Sequence, residues 1–424
     1  MPQEPVAWRI LRSPALVTAL VTPLLLGALS VPSGGLFRGA KFRDLHVYRQ
    51  YGDALLDGRL PYRDVFVEYP PGAIPLFAAP SLAPDGAYDA LFKALMALCC
   101  LAAVFCVTFV FVRQRRGPVA VGGAALFLAL VPIVLGPVSL NTYDMWPATL
   151  TVAAVAALSV DRGRLALGLL GAAAAAKLYA FLLAPLALAW IWRTRGSRAM
   201  VGPLAAFAAV VLVLAGPWIA LAPQGVWDSV HSQLDRGLHT ESLAASALLA
   251  GDRAGLYDAT VVKTVPAVSR DLAGGLPHAL AAAGAALSVI AALAPGLLLL
   301  RRRVDPGLLL AASVAGFLAF TKVLSPQYAV WLIPLVPFAG ATATVLLVAA
   351  LALAQSWYFH YRDLWAIGPE VWTLLARNLV LVVLYGLLLW KTSTPSRSNT
   401  RFQWGFLRRR TSASADGSGA TRSA

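Results

Sequence analysis

Charge is what this chain has least of. Asp, Glu, Lys and Arg make up 13% of its 424 residues, about half the roughly 25% of an ordinary soluble domain. Acids are the scarcer sign, 20 against 35 Lys and Arg, for a formal net charge of +15. So few charges cannot clothe a soluble surface, which excludes a soluble enzyme, a disordered chain and a fibre. Cysteine is nearly absent: Cys99, Cys100 and Cys106 all lie in one apolar run. Neighbouring positions on one helix cannot form the usual disulfide framework. The five histidines, His46, His231, His239, His278 and His360, are scattered without metal-ligand spacing. No six-plus-six internal repeat is visible.

What the chain does have is apolar residues, 59% of the total, with a mean hydropathy of +0.70. A membrane span needs about 20 apolar residues, so a dozen spans would use roughly 240 and leave the rest for loops and tails. The fold class expected is all-α: a polytopic helical membrane protein, with charge alternation too sparse for a β-barrel. Much of the arginine is clustered between apolar runs, as in Arg113–Arg116, Arg162–Arg164, Arg193–Arg198, Arg301–Arg303 and Arg408–Arg410. That is how cytoplasmic loops look under the positive-inside rule. No basic stripe with interleaved aromatics lies in a soluble stretch, so no nucleic-acid partner is expected.

A first span is expected over Pro14–Val31, uncleaved, with the N-terminus in the cytoplasm. The polar stretch Pro32–Gly72 then lies outside, and Ile74–Ala83, too short to span, lies at the interface. Spans follow over Tyr88–Val112 and Pro118–Leu135. A short outer turn with Asn141, Tyr143 and Asp144 comes next, and a fourth span returns to Asp161–Arg164. Leu165–Trp192 is about 28 residues, about 42 Å as a single helix. Both its ends are basic, and one crossing would put one of them outside. Two short helices meeting near Lys177 resolve the conflict; one long tilted helix with Lys177 snorkelling is the alternative. The hairpin reading places Lys177 on an internal cavity.

A span over Met200–Leu221 leads to a long outer loop that reaches Gly275, and the next span returns to Arg301–Arg303. Asp305–Leu324 goes out. Ser325–Phe359 then goes in and comes out again, and Val371–Trp390 returns inward. The count is about twelve helices with both termini inside. Residues 1–392 form one membrane domain. The Ser/Arg-rich stretch 393–424 is expected to be a disordered cytoplasmic tail.

The first outer segment is far longer than a connection needs. From Asp44, apolar and aromatic residues recur at Val47, Tyr48, Tyr51, Leu55 and Leu56, the spacing of a helix lying on the membrane, with Gly58 as its stop. Asp44 has two readings. One is an N-cap, or an ion pair with Arg43 or Arg49. The other is a general base at a membrane-surface active site, accepting a proton from a sugar hydroxyl. Asp64 and Glu68 are candidates to hydrogen-bond a polyol, while Tyr62 and Tyr69 shape the loop. A Lys within an apolar run marks function by default. Lys177, Lys322, Arg43 and Arg63 are the cations expected near the outer face, where a phosphate leaving group would need them. His360 joins them at an outer helix end, beside a structural reading for the same residue.

The string Arg43-Asp44-Leu45…Tyr48…Leu55-Leu56-Asp57-Gly58…Pro61-Tyr62…Glu68-Tyr69-Pro70-Pro71 resembles the first outer loop of glycosyltransferase family 87. Ala176-Lys177-Leu178-Tyr179 with Pro185, and Leu324-Ser325-Pro326-Gln327-Tyr328…Trp331-Leu332-Ile333-Pro334, resemble two further pieces in the same order. The resemblance implies a GT-C fold and inverting transfer of a sugar, with mannose expected, from a polyprenyl-phosphate donor. The acceptor would be a glycolipid or polysaccharide outside the cytoplasm. The catalytic Asp of the family falls on Asp44, and Tyr179, Gln327 and Tyr328 join the substrate-binding set. No cofactor and no metal are expected, because the leaving group is a single lipid phosphate and arginines alternate with the loop acids. A twelve-helix secondary transporter is the alternative, with Asp161-Arg162-Gly163-Arg164 faintly like a facilitator loop. A scaffold or lipid flippase is the third reading.

Overall fold

The computed structural model describes residues 10–34, 44–84, 86–264, 269–359 and 368–394. The protein is mostly helical. Helix α1 covers Pro14–Gly34, α2 Asp44–Leu56, α3 Ile74–Ser81, α4 Tyr88–Arg113 and α5 Pro118–Leu135. A single helical turn, Val138–Asn141, leads to α6, Met145–Ser159. Then come α7, Gly163–Ala176, α8, Leu183–Arg195, and α9, Val201–Leu221. The long loop holds α10, Pro223–Leu234, and α11, Leu243–Arg253. The chain closes with α12, Gly275–Leu299, α13, Pro306–Phe320, α14, Ala341–Phe359, and α15, Val371–Ser393.

Among the described residues, six helices are long and apolar enough to cross a membrane: α1, α4, α5, α9, α12 and α15. Helices α6, α7, α13 and α14 are apolar but shorter. The expected span limits Pro118–Leu135 coincide with α5, and Tyr88–Val112 falls one residue short of the end of α4. The tail 395–424 lies outside the described residues.

Leu165–Trp192 is not one helix. It breaks at Lys177, whose backbone is extended (φ −152°, ψ 123°), and continues through a 3-10 turn, Leu178–Leu182, into α8. Its two ends come back together: Arg195 forms an ion pair with Asp161, and a Cβ on Gly163 would touch the Ile191 side chain. A continuous tilted helix is therefore excluded. A Cβ on Gly171 would lie 2.8 Å from the Phe207 carbonyl oxygen, so α7 and α9 approach backbone to backbone, as small residues allow in apolar packing.

The stretch after Ser325, expected to run inward as a helix, is built from 3-10 pieces, Pro326–Leu332 and Val336–Ala339, and not from an α-helix. Pro326, Pro334 and Pro337 remove backbone donors there. At about 2 Å per residue, residues 326–339 reach roughly 28 Å, close to the roughly 30 Å of a bilayer core. Lys391 Nζ, at the end of α15, donates to the Ala339 carbonyl at 2.7 Å. This run therefore does reach the far end of the bundle.

The basic clusters share that end. Arg113 Nε donates to the Ser159 carbonyl at 3.1 Å, Arg193 Nε to the Leu299 carbonyl at 2.8 Å, and Arg116 lies 4.0 Å from Asp305. At the opposite end sits the one departure from an all-α chain among the described residues. Strands β1, Leu238–His239, β2, Thr260–Thr264, and β3, Ser269–Ala273, form an antiparallel sheet in the order β1-β3-β2, with Val262 and His239 both facing Asp271 in register.

Both short helices between α1 and α4 are packed against protein. Helix α2 does not simply lie on a membrane. Leu45, Tyr48, Tyr51 and Ala54 are buried, and Tyr48 stacks on Phe77 of α3 at 4.5 Å between ring centres. Helix α3 likewise packs into the core, with Ile74 and Phe77 fully buried. A cluster of aromatic rings therefore docks both short helices into the main core, giving the loop a fixed position against the bundle.

Candidate functional site

Three irregular stretches of backbone meet at the end opposite the arginine clusters: the turn before α6, the break after α7, and the first 3-10 piece after Ser325. Each presents one side chain to the others. Asp144, at 0% exposure, accepts from Trp331 Nε1 at 2.6 Å and from Lys177 Nζ at 3.1 Å, both on Oδ1. Its Oδ2 is buried with no hydrogen-bond partner among the described residues. The Lys177 ammonium lies among rings, 4.4 Å from the centre of Tyr143, 5.4 Å from Tyr69, 5.6 Å from Tyr328 and 5.7 Å from Trp331. A cation among ring faces keeps part of the stabilisation it would find in water.

Asp44 opens α2 beside this pair. Its Oδ2 accepts from Tyr48 Oη at 3.3 Å. Among the described residues it forms no ion pair and caps no backbone N–H, and Arg49 pairs with Asp53 instead, at 3.2 Å. Burial pushes the Asp44 carboxyl up to about 7, helped by the Asp144 and Glu68 charges and opposed by Lys177 and the Tyr48 hydroxyl. Burial disfavours the charged form of any carboxylate, and like charges add to that. The group thus exchanges its proton near neutral pH, the range in which a general base works best.

Glu68 is tied to the long loop. Gln233 Nε2 donates to its carbonyl at 3.3 Å and to Oε1 at 3.4 Å, and Arg236 lies 3.9 Å from the same Oε1. The Glu68 N–H donates to Tyr51 Oη at 3.4 Å. Tyr62 shapes the loop as expected, donating from its hydroxyl to the Tyr69 carbonyl at 2.6 Å.

Other expected site residues sit differently. Asp64 is exposed; it accepts from the Leu60 N–H at 2.7 Å and pairs with Arg63 at 2.9 Å, contacts that hold its carboxyl down at about 2. It closes a turn, and Arg63 is taken up with it. Tyr179 is buried, stacks on Trp331 at 4.1 Å and meets Thr151 Oγ1 at 3.2 Å, so it braces the indole. Tyr328 stacks on the other side of the cluster, 4.4 Å from Trp331, and Gln327 is buried on the same 3-10 piece. Lys322 belongs to the long loop: its Nζ donates to the Leu234 carbonyl at 2.6 Å, and its own carbonyl accepts from the His239 N–H at 3.0 Å. Lys177, expected as a free cation for phosphate, is already paired. Arg43 and His360 lie outside the described residues.

Asp144 is the functional candidate that sequence reasoning left in a short outer turn without a role. The signal was present: a lone acid between two apolar runs, flanked by Tyr143 and Trp146. Such an acid needs a partner, and a lone Lys in another apolar run is its natural counterpart.

The chain matches no family model and no curated protein.

Proposed function

We propose that this chain is a GT-C-type membrane glycosyltransferase that moves a hexose, mannose first among the candidates, from a polyprenyl-phosphate carrier to a glycolipid or polysaccharide. Three strings far apart in sequence carry the resemblance, residues 43–71, 176–185 and 324–334. One observation supports the reading above others: Tyr48 and Tyr69 from the first string, Lys177 and Tyr179 from the second, and Tyr328 and Trp331 from the third pack into a single cluster. Asp44 lies against this cluster, and burial raises its carboxyl to about 7.

In this reading Asp44 accepts the proton of the acceptor hydroxyl as that oxygen attacks the anomeric carbon. The bond from that carbon to the phosphate oxygen breaks, the configuration inverts, and the lipid phosphate leaves with the electron pair. Base catalysis of this kind contributes about 10²–10⁴ in rate. Lys322, Arg43 and His360 are the candidates for the leaving phosphate, and Lys322 would exchange its bond to the Leu234 carbonyl for it. The arginine-rich end faces the cytoplasm, both termini lie there, and the shorter helices and 3-10 runs complete about twelve crossings in the cell membrane.

The test is purified protein in lipid vesicles, given polyprenyl-phosphate hexoses and candidate acceptors, with the product read by mass spectrometry. Transfer that needs Asp44 supports the reading. Uptake of a solute into the vesicles with no transfer from any donor would replace it with the transporter alternative.

A further inference from the structure

Lys177 and Asp44 carry opposite charges in one cluster and yet do not pair. The ammonium is held by Asp144 Oδ1 at 3.1 Å, and the same oxygen is anchored by Trp331 Nε1 at 2.6 Å. Asp144 is fully buried, and the lone pairs of its Oδ2 meet no donor among the described residues. A buried charged oxygen left unsatisfied is unfavourable, and native structures rarely keep one without a reason. Resting on the reading of Asp44 as base, we propose that Asp144 is a positioning residue: it holds the Lys177 ammonium away from Asp44, leaving Asp44 unpaired and able to take up a proton.

The groups facing Asp44 support this assignment. Tyr48 reaches it from its own helix, Glu68 and Tyr69 from the following loop, Asp144 from the turn before α6, and Lys177 from the break after α7. Among the described residues of this set, Lys177 is the sole cation. Arg236 is engaged at Glu68, Ser269 and Gln233. With Asp144 in place, the Lys177 charge is largely answered at Oδ1, and burial keeps the Asp44 carboxyl near neutral titration. Remove the Asp144 charge and two effects act in one direction. The repulsion from Asp144 disappears, and the ammonium, which already acts electrostatically on Asp44, is no longer held elsewhere. An opposite charge within about 4–6 Å lowers a carboxyl by about 1–3 units.

The experiment measures the protonation of Asp44 directly, as well as turnover. A water-soluble carbodiimide reacts with the protonated carboxyl, so the pH midpoint of labelling at the Asp44 peptide, read by mass spectrometry, reports its proton affinity in the full-length protein. Asp144→Asn is expected to lower that midpoint by about one unit or more relative to wild type. The acid limb of the pH–rate profile moves with it, and Asp144→Glu restores both. If Lys177 stays in place, only the repulsion from Asp144 is lost and the midpoint lies close to that of the double variant Asp144→Asn, Lys177→Met; that result overturns the proposal. Should Asp144→Asn not fold, the double variant Asp144→Asn, Lys177→Met carries the test, since it leaves no buried charge unpaired. Its midpoint stays close to that of wild type, because both opposing charges are gone. A double variant displaced downward would equally overturn the proposal. Absence of any transfer by wild type counts against the base reading alone, because the labelling midpoints still decide the role of Asp144.

Discussion

The Arg377 guanidinium and the Glu241 carboxylate pair at 2.8 Å with both side chains 3% exposed. Arg377 also donates to the Glu241 carbonyl and to Asn378 Oδ1, and Asn378 Nδ2 donates to Ser246 Oγ at 2.9 Å. This network fastens the start of α11 to α15, and so holds the long loop over the end of the bundle that carries Asp44. Removing one partner of a buried pair leaves a charge with neither water nor counter-ion, at a cost of about 3–5 kcal/mol, whereas replacing both by apolar residues of similar volume is often neutral. Arg377→Met is expected to lower the unfolding free energy by roughly that amount, and Arg377→Met with Glu241→Leu to recover most of it. Denaturation in detergent measures both; equal losses in the single and double variants would refute the pairing argument.

In the proposed reaction, Asp44 ties turnover and stability to pH in opposite senses. Its carboxyl is raised from 3.8 to about 7, so the base form fills in as pH rises through 7 and activity is expected to follow it. Asp44→Asn removes the base and the pH step together, with turnover falling by about 10²–10⁴. For folding, a raised carboxyl means that the folded state keeps a proton the unfolded state has already released. Its contribution is fully present below the ordinary Asp value and is lost as pH rises through the folded value. The Asn variant therefore gains melting temperature relative to wild type on going from pH 4 to pH 8. A pH-independent difference would contradict the shift.

Lys177→Met is expected to affect folding as much as function. The methionine leaves Asp144, at 0% exposure, without its cation, a loss of about 3–5 kcal/mol for a buried pair broken from one side. Adding Asp144→Asn recovers part of the loss. Thermal melts of the two variants decide the point, and an unchanged melt for Lys177→Met would show that the pair contributes nothing.

Gly72 sets how closely the first outer segment approaches the Lys177 break. A Cβ there would lie 2.6 Å from the Ala175 backbone carbon and 2.7 Å from its oxygen, atoms that cannot give way. Gly72→Ala is expected to push the loop off α7 and to lower both stability and turnover. Gly27→Ala, at a position with nothing within 4 Å, serves as the control and should behave as wild type. Similar melts for the two variants would refute the close approach.

Metal-independent transfer is the remaining expectation. Three loop acids are engaged by arginines: Asp53 with Arg49 at 3.2 Å, Asp57 with Arg59 at 3.4 Å, and Asp64 with Arg63 at 2.9 Å. Those cations would repel a divalent ion. Turnover should survive excess chelator after metal stripping. Activity that disappears and returns with magnesium or manganese would recast the acids as ligands.

Local physics made several elements legible in advance. The limits of α5 follow from Pro118, the apolar run and Gly136, whose φ of +61° ends the helix. The break at Lys177 followed from a charge argument: two basic ends around one apolar run must return to the same side. The recurrence of Val47, Tyr48, Tyr51 and Leu55 was enough to mark α2. It did not say which face was buried or against what, since Tyr48 meets Phe77, Phe92 and Tyr143 from three other segments. The 3-10 character of residues 326–339 was missed because apolar periodicity cannot tell a 3.0-residue repeat from a 3.6-residue one over so short a run, and the prolines were the better guide.

The sequence by itself determined the class of protein, because apolar content, scarce charge and clustered arginine are sums over the chain that need no geometry. It also determined several helix limits, such as those of α5, because prolines and glycines act within a few residues. Only the tertiary structure decided which charges face one another. Asp144 and Lys177 are 33 positions apart and Glu241 and Arg377 are 136 apart, and each pair is brought together by helix packing. The proton affinity of Asp44 belongs to that second category. It comes from burial and from charges on three other segments of the chain; of its causes only the Tyr48 hydroxyl lies near Asp44 in sequence.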